Sequence, residues 1–129
     1  SALMQAQSVQ SQASKLGFDW EGVAGAFEKL EEEIDELKTE VTGKSKAEIK
    51  ANSSDIEKEL GDCVFALVNV ARKLNLDAEA ATLTCVHKFK SRFGYIEDQL
   101  QARGKSLEES DIDEMDALWE SAKQHERTL

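Results

Sequence analysis

Apolar residues recur three or four positions apart along most of this chain, a spacing that places them on one face of an α-helix. The clearest stretch is residues 23–41, where the apolar stripe consists of Phe27, Leu30, Ile34, Leu37 and Val41. A weaker stripe over residues 2–15 predicts a preceding helix, which Gly17 would end, with Asp19 as the N-cap of the next helix. The pattern therefore predicts long helices rather than strands.

The middle of the chain changes from polar to strongly apolar. Residues 42–54 are small and polar, which predicts a loop with a short helical turn around residues 47–50. Ser54 and Glu57 have the spacing of a capping box that opens a helix. Nearly every residue in 63–71 is apolar, and a helix of that kind is buried on most sides. We therefore expect this helix to be the central one.

Two more helices are predicted in the last third of the chain. Asp77 is a suitable N-cap for the first of them, and Gly104 is suited to end it. The last helix would start after a capping box formed by Ser106 and Glu109, or with Ser110 as its N-cap. With these two helices, the fold class predicted for the chain is all-α, a four- to five-helix bundle.

Composition supports one folded domain over residues 1–129, because 40% of the residues are hydrophobic, 33% are charged and none is proline. The net charge of −10 disfavours nucleic acid and anionic membranes as partners, since both attract basic surfaces. No apolar run is long enough to cross a membrane, and no signal peptide is visible. Since the chain starts at Ser1 rather than methionine, we expect a trimmed fragment that a further N-terminal domain could precede.

The two cysteines indicate a compartment. Cys63 and Cys85 both lie in apolar helical segments, far apart in the sequence. Two isolated cysteines in a chain of this size are typical of buried thiols in a reducing cytosol rather than of a disulfide framework. The predicted location is therefore cytoplasmic.

Two pairs of acidic residues carry the candidate chemistry. Glu33 and Glu36 lie three residues apart on one predicted helix, and Glu59 and Asp62 have the same spacing on another. Most acidic residues on helices are simply solvated, but Asp62 directly precedes the most apolar segment, where an unpaired charge is costly. If the two helices pack together, the four carboxylates form a cluster that requires either a compensating cation or the uptake of protons. Oxygen ligands without cysteine or histidine favour Mg²⁺, with Mn²⁺ possible. Because Mg²⁺ commonly binds phosphate oxygens as well as protein carboxylates, the site predicts a phosphorylated substrate.

Basic and aromatic residues in the last two helices are candidates for contacts to that substrate. Lys88 and Arg92 lie four residues apart and share a helix face. This face is either a solvated or ion-paired edge of the helix or a clamp for phosphate oxygens. Trp119 and Lys123 are also four residues apart, on the last predicted helix. A tryptophan next to apolar residues, here Met115 and Leu118, is more often a core residue than a surface on which a base stacks. Asn69 lies inside the apolar run and needs a hydrogen-bond partner if it is buried.

The acidic pairs also carry a resemblance to a known family. EEIDE at 32–36 and ELGD at 59–62 are similar to the EExxE…ExxD signature of the all-α NTP pyrophosphohydrolases, and above all to the MazG family. The resemblance extends to LGFDW at 16–20, KLEEEIDEL at 29–37, ELGDCVFALVNVARKL at 59–74 and KFKSRF at 88–93. It implies an all-α NTP pyrophosphatase fold, a homodimer whose site is built partly across subunits, and the C-terminal domain of a two-domain protein.

The resemblance also assigns roles to residues and implies a reaction. It makes the four acidic residues the Mg²⁺ ligands and the catalytic group, namely Glu33, Glu36, Glu59 and Asp62. It assigns contacts with the nucleotide to Lys88, Arg92, Trp119 and Lys123, with Asn69 as a further candidate in the nucleotide pocket. The implied reaction is hydrolysis of a nucleoside or deoxynucleoside triphosphate to the monophosphate and diphosphate, as house-cleaning or control of nucleotide pools.

Three alternatives to this function stay open from the sequence. A dUTP/dCTP-type pyrophosphatase or a phosphoribosyl-ATP pyrophosphohydrolase would share the fold and the acids and differ in the base or sugar pocket. A non-catalytic helical module would use the same acidic cluster as a regulatory cation site or a partner site.

Overall fold

Six helices make up the chain in the computed structural model, which describes residues 1–128. They are α1 (Ala2–Lys15), α2 (Val23–Val41), α3 (Lys46–Ala51), α4 (Ser53–Lys73), α5 (Ala78–Ala102) and α6 (Ile112–Thr128). No strand occurs in the described part, so the all-α prediction is confirmed. The helix beyond the predicted four or five is α3, which occupies the segment predicted to hold a short helical turn.

The helices are distributed over two compact units. The first covers residues 1–81 and contains α1 to α4 with the first residues of α5; the second begins at residue 82 and contains the rest of α5 and α6. Among residues 1–128, no helix combines the length and the apolar character that crossing a membrane requires.

Three helices end in the same backbone motif. After α1, α4 and α5 the chain passes through a residue with positive φ, at Gly17 (91°), Asn75 (58°) and Gly104 (71°) respectively. In each case the next N–H bonds back across the last turn, as Phe18 does to the carbonyl of Ala13 at 3.1 Å. This is the Schellman arrangement, in which glycine and asparagine tolerate the left-handed backbone. The predicted helix ends at Gly17 and Gly104 are confirmed.

The helix starts were predicted less well. Asp77 does cap α5, because its carboxylate accepts a hydrogen bond from the Ala80 N–H at 3.0 Å. The capping box predicted at Ser54 is wrong, since α4 already begins at Ser53. The capping box of this region belongs to Ser45 and α3 instead, and α3 leads into α4 after a single residue.

The start of α6 differs from both alternatives predicted for it. Asp111 is the cap, with its carboxylate 2.8 Å from the N–H of Glu114. Ser106 and Glu109 do hydrogen-bond to each other, but in the loop before the helix. The Ser110 hydroxyl donates to the Glu114 carboxylate instead of capping the helix. Both predicted caps are therefore wrong, because several competing polar side chains occur within six residues.

Asp19 was predicted to cap α2, and this too is wrong. The N-cap position is occupied by Gly22, which makes no side-chain cap. Asp19 instead accepts two hydrogen bonds from the Arg72 guanidinium, at 2.7 and 2.9 Å, and one from the Ser14 hydroxyl. These contacts hold the pKa of Asp19 well below its usual range, with the Arg72 hydrogen bond as the main cause. The pair ties the α1–α2 connection to the C-terminal turn of α4.

In the first unit α4 packs against α1, α2 and α3, which confirms its predicted central place there. The prediction that it is buried on most sides is wrong, because large apolar residues on it stay exposed, namely Leu60, Val64, Phe65 and Leu67. The residues that are buried in this unit are mostly small, such as Ala26, Cys63 and Ala66. Both cysteines are free; Cys63 is buried as predicted, whereas Cys85 is exposed, contrary to the prediction.

The second unit has a core of larger side chains. Ile96 and Leu100 on α5 pack with Leu118 on α6, and all three are almost fully buried. Partly buried residues surround them, namely Phe93, Leu107, Met115 and Trp119.

Replacing Asp19 with asparagine should destabilise the protein at pH 7 by about 1–2 kcal/mol, because charge-assisted hydrogen bonds to Arg72 become neutral ones. A carboxylate whose pKa is lowered on folding stabilises the protein above its unfolded pKa, and that contribution disappears as the pH falls. The difference in melting temperature between the wild type and Asp19→Asn should therefore shrink below about pH 4. Glu31→Gln, at an exposed position of α2, is the matched control. A difference that does not depend on pH would contradict the role of the charge.

Candidate active site

Carboxylates from α2 and α4 meet in the first unit. Glu33 on α2 and Glu59 and Asp62 on α4 each offer an oxygen, and these three oxygens lie within 4.8 Å of one another. Helical spacing explains the arrangement, since residues three apart on α4 share a side of that helix and Glu33 lies on the side of α2 that packs against it. The structure thus brings together three of the four predicted ligands.

Burial within the cluster differs from the expectation. Asp62 was expected in an apolar setting, yet it is exposed, and Glu59 is half-buried. The buried acid is Glu33, with 6% of its surface accessible. The apolar run that begins at Cys63 does not enclose Asp62, because neighbouring residues of a helix point in directions about 100° apart.

The fourth acid, Glu36, lies beside the cluster and changes its electrostatics. The Glu33 carboxylate raises the pKa of Glu36 above its usual value, and Glu59 adds to the effect. Glu33 itself is held by Lys29, whose Nζ is 2.9 Å from its Oε1, and this contact lowers the pKa of Glu33. Glu33 therefore favours the ionised state and Glu36 takes up a proton more readily. Lys29 is not among the residues predicted from the sequence, although its position four residues before Glu33 is a usable signal.

Two atoms of the cluster lack the partners that buried oxygens usually have. Glu33 Oε2 and Glu59 Oε2 are buried and make no hydrogen bond among residues 1–128. Leaving buried acceptors unpaired is costly, and more so when they are charged. One positive ion near both oxygens would remove that cost, and carboxylate oxygens are the donors that hard divalent cations prefer. The residues present therefore fit a divalent metal.

A cavity of about 700 Å³ adjoins the cluster in the same unit. Its lining along α4 runs from Asp62 through Ala66 and Asn69 to Arg72, and Glu33 and Lys29 contribute from α2. Gln10, Phe18 and Trp20 also line it, from α1 and the α1–α2 connection. The volume lies in the range of small-molecule sites. Asn69, a predicted candidate for the nucleotide pocket, lines this cavity. Gln10, Trp20 and Arg72 line it too, and none of them was predicted as a site residue.

Trp20 is held in place at this cavity by its surroundings. Its carbonyl accepts a hydrogen bond from Lys73 Nζ at 2.6 Å, and its indole lies directly against the start of α2 at Gly25. A Cβ at Gly25 would come within 2.9 Å of Cγ of Trp20, closer than such atoms approach in proteins. The absence of a side chain at Gly25 is therefore what allows the indole to pack there.

The predicted basic and aromatic residues belong to the second unit. Arg92 lies over the Trp119 ring, 5.1 Å from its centroid, and pairs with Glu126 through two contacts of 3.0 Å. Lys123 is 3.5 Å from Glu120, and Lys88 is exposed and makes no ion pair within residues 1–128. Trp119 is half-buried at the edge of the core, with one face engaged by the guanidinium. Glu126 was not foreseen, because it lies 34 residues beyond its partner.

Substituting Glu36 with glutamine should raise the melting temperature when divalent cations are chelated. The substitution removes a carboxylate whose ionisation Glu33 and Glu59 oppose. Adding Mg²⁺ should stabilise the wild type and have a smaller effect on Glu36→Gln, because one ligand oxygen is then uncharged. Glu31→Gln, two residues before Glu33 but exposed, should respond to Mg²⁺ as the wild type does. If Glu36→Gln melted at a lower temperature than the wild type in the presence of chelator, repulsion between Glu36 and the neighbouring carboxylates would be contradicted.

Comparison with known proteins matches the chain to one family. The family profile described as MazG nucleotide pyrophosphohydrolase domain covers residues 22–95, more than half of the chain. The Thermotoga maritima protein named nucleoside triphosphate pyrophosphohydrolase/pyrophosphatase MazG is 39% identical over 127 residues, 98% of this chain and 46% of that protein.

Two further relatives agree with this match. The Escherichia coli K12 protein named nucleoside triphosphate pyrophosphohydrolase is 35% identical over 128 residues, 99% of this chain and 47% of that protein. An uncharacterized Bacillus subtilis protein, YabN, is 41% identical over 73 residues, which are 57% of this chain and 15% of that protein. The chain thus spans about half the length of the Thermotoga and Escherichia relatives.

Proposed function

The chain belongs to the MazG nucleotide pyrophosphohydrolase family, and we propose that it hydrolyses nucleoside or deoxynucleoside triphosphates to the monophosphate and diphosphate. The observation that carries the proposal is the cluster of Glu33, Glu59 and Asp62 beside a cavity of about 700 Å³. Clustered carboxylates suit a divalent cation, and the adjoining cavity suits a small organic molecule. A nucleotide combines phosphates with an organic group and so matches both parts.

The metal in this proposal is Mg²⁺, with Mn²⁺ able to replace it. Glu33, Glu36, Glu59 and Asp62 would hold it, and it would supply charge neutralisation on phosphate oxygens and a more acidic bound water. The three oxygens of Glu33, Glu59 and Asp62 lie within 4.8 Å of one another, so a single small cation could contact all of them. Lys29 keeps Glu33 ionised and thus in the state that a ligand requires.

The proposal also includes the substrate contacts that the family resemblance assigns to basic and aromatic residues of α5 and α6. Lys88 and Arg92 would contact substrate phosphates, with Arg92 exchanging its bond to Glu126 for phosphate oxygens. Trp119 and Lys123 would hold the nucleotide from α6, and Asn69 would contact it in the cavity of the first unit. The proposal also includes a cytoplasmic location, with which the unpaired Cys63 and Cys85 agree, and a role in house-cleaning or control of nucleotide pools. Nucleic acid and membranes are not partners in this proposal.

A homodimer forms part of the proposal because α4 exposes an apolar stripe. Leu60, Val64 and Leu67 lie four and three residues apart and are 52%, 42% and 54% accessible in the single chain. Residues with this spacing share one helix face. A contiguous apolar face of this kind is typical of a surface that another protein covers. We propose that a second copy of the chain covers it.

The activity is tested by incubating the protein with a panel of nucleoside triphosphates and Mg²⁺ and separating the products. We expect monophosphate and diphosphate in equal amounts and no activity with chelator. Glu33→Gln and Asp62→Asn should lower kcat by roughly 100-fold or more, because even groups that only support metal ligands commonly contribute 10- to 100-fold. Glu31→Gln should leave the rate unchanged.

The same assay distinguishes the alternatives. Turnover restricted to dUTP and dCTP, or to phosphoribosyl-ATP, would assign the chain to another activity of the same fold. If the wild type converted no nucleotide while still binding Mg²⁺, a non-catalytic module would be the correct interpretation. Full activity of Asp62→Asn would reject the ligand set and leave the reaction in place.

Substituting Leu67 with lysine should shift the protein from dimer to monomer in sedimentation equilibrium, because a charge replaces an apolar contact at the centre of an interface. Ser54→Lys adds the same charge at an exposed polar position of the same helix and should remain dimeric. A wild type that sediments at the mass of one 14.3 kDa chain would refute the dimer.

A further inference from the structure

The guanidinium of Arg92 is held on two sides within the second unit. Its Nε and Nη2 each donate a hydrogen bond of 3.0 Å to the carboxylate of Glu126, one to each oxygen. The Trp119 ring lies against it, with 5.1 Å between the guanidinium carbon and the ring centroid. Only 13% of the Arg92 side chain is accessible. The protein's own groups therefore occupy most of this guanidinium.

We propose that Glu126 is an internal competitor of the substrate: its carboxylate occupies Arg92 in the nucleotide-free protein and thereby weakens the binding of phosphate chains to that arginine. The proposal rests on the proposed function, in which Arg92 contacts substrate phosphates, and adds the residue that limits this contact. The ligands concerned are the triphosphate of the substrate and the diphosphate product.

A carboxylate and a phosphate make the same demand on an arginine. Both present two oxygens to two parallel N–H groups of the guanidinium, whose five donors form a fixed fork. A phosphate that takes the Nε and Nη2 edge of Arg92 must therefore displace Glu126. A phosphate that approaches the other donors meets a cation whose charge the bound carboxylate already neutralises. In both cases the phosphate chain binds more weakly than it would to a free arginine.

Lys88 acts on the same carboxylate. The pKa of Glu126 is held below its usual value, mainly by the hydrogen bond from Arg92, and the Lys88 charge adds to the effect. Lys88 and Arg92 are four residues apart on α5 and share a side of that helix. Glu126 thus lies where both basic side chains favour an anion, and this is the position that a phosphate group between them would take.

The contact is built so that it can be exchanged. Glu126 lies in the last turn of α6, which ends at Thr128, and 39% of its side chain is accessible. Helix ends fray readily, and a partly exposed ion pair adds little to the stability of a fold. Release of Glu126 requires only rotation of its side chain, while the Trp119 ring still supports the guanidinium. A ligand with several negative charges is suited to replace a single carboxylate.

A second acidic residue of α6 shows how a structural contact differs. Glu114, in the first turn, is only 18% accessible and accepts three hydrogen bonds, from Arg103 at 2.8 Å, Lys105 at 3.1 Å and the Ser110 hydroxyl at 2.6 Å. These contacts join the helix start to the loop before it. Within residues 1–128 Glu126 forms an ion pair with one residue only, so its release breaks far fewer contacts.

Calorimetric titration with inorganic diphosphate and with tripolyphosphate tests the proposal, because neither probe carries a nucleoside. Glu126→Gln removes the charge and keeps the size of the side chain. We expect this variant to bind both probes about 10-fold more tightly than the wild type, because Arg92 then has no charged competitor. The KM for nucleoside triphosphates and the inhibition constant of diphosphate should fall by a similar factor. Ionic strength and Mg²⁺ concentration are kept constant, since salt screens these charges.

Control variants separate this effect from general ones. Asp116→Asn removes one negative charge at an exposed position of α6 and should change diphosphate affinity by less than about twofold, because salt screens a distant charge. Glu114→Gln should lower the melting temperature and leave diphosphate affinity unchanged. In an Arg92→Gln background, Glu126→Gln should bring no gain, because the group for which it competes is gone. An equal gain in both backgrounds would indicate a general field effect and overturn the proposal.

The outcomes also separate this proposal from the proposed function. If Glu126→Gln bound both probes with the wild-type affinity or more weakly, Glu126 would only support Arg92, and the proposal would be overturned while the hydrolytic activity stands. If the wild type hydrolyses no nucleotide, the proposed function fails. The calorimetric comparison then decides the role of Glu126: tighter binding of diphosphate by Glu126→Gln supports it, and unchanged or undetectable binding overturns it.

Discussion

Repulsion between carboxylates where α2 packs against α4 is the constraint on which the rest of the site depends. At an effective dielectric of about 20, two carboxylates about 4 Å apart repel by roughly 4 kcal/mol, a large share of the 5–15 kcal/mol that typically stabilises a domain. The structure limits this cost in visible ways. Lys29 binds the buried Glu33, Glu36 takes up a proton more readily, and Asp62 stays exposed to water. Glu33 Oε2 and Glu59 Oε2 still lack a hydrogen-bond partner within residues 1–128. A divalent cation is the simplest group that would satisfy both oxygens.

A second electrostatic contact connects the fold to the cavity. Asp19 and Arg72 join the α1–α2 connection to the end of α4, so the same ion pair closes the first unit and orients Asn69. Lys73 strengthens the connection by binding the Trp20 carbonyl. The Asp19–Arg72 pair therefore contributes both to the stability of the first unit and to the geometry of the cavity wall. This is an efficient arrangement for a small unit whose buried apolar residues are mostly short side chains.

The limited core of the first unit agrees with the apolar stripe on α4. A single chain that leaves Leu60 and Leu67 about half accessible gains less from burial than its composition allows. Association through this face would recover that free energy and would remove apolar side chains of α4 from water. The second unit buries Ile96, Leu100 and Leu118 together, although Leu83, Val86 and Phe89 on its part of α5 also stay exposed.

The sequence by itself determined the helices and the identity of the acids. The spacing of apolar residues predicted α1 and α2 to the residue, and Gly17 and Gly104 marked helix ends because a positive φ is a local requirement. Only the tertiary structure decided which acid is buried, why Asp19 binds Arg72 instead of capping α2, and how Gln10 and Asn69 come to line one cavity. The physical reason is the distance along the sequence over which each kind of interaction acts. Periodicity and capping act within a few residues, whereas the burial and the contacts that shape the site join positions tens of residues apart, as Asp19 and Arg72 do at a separation of 53.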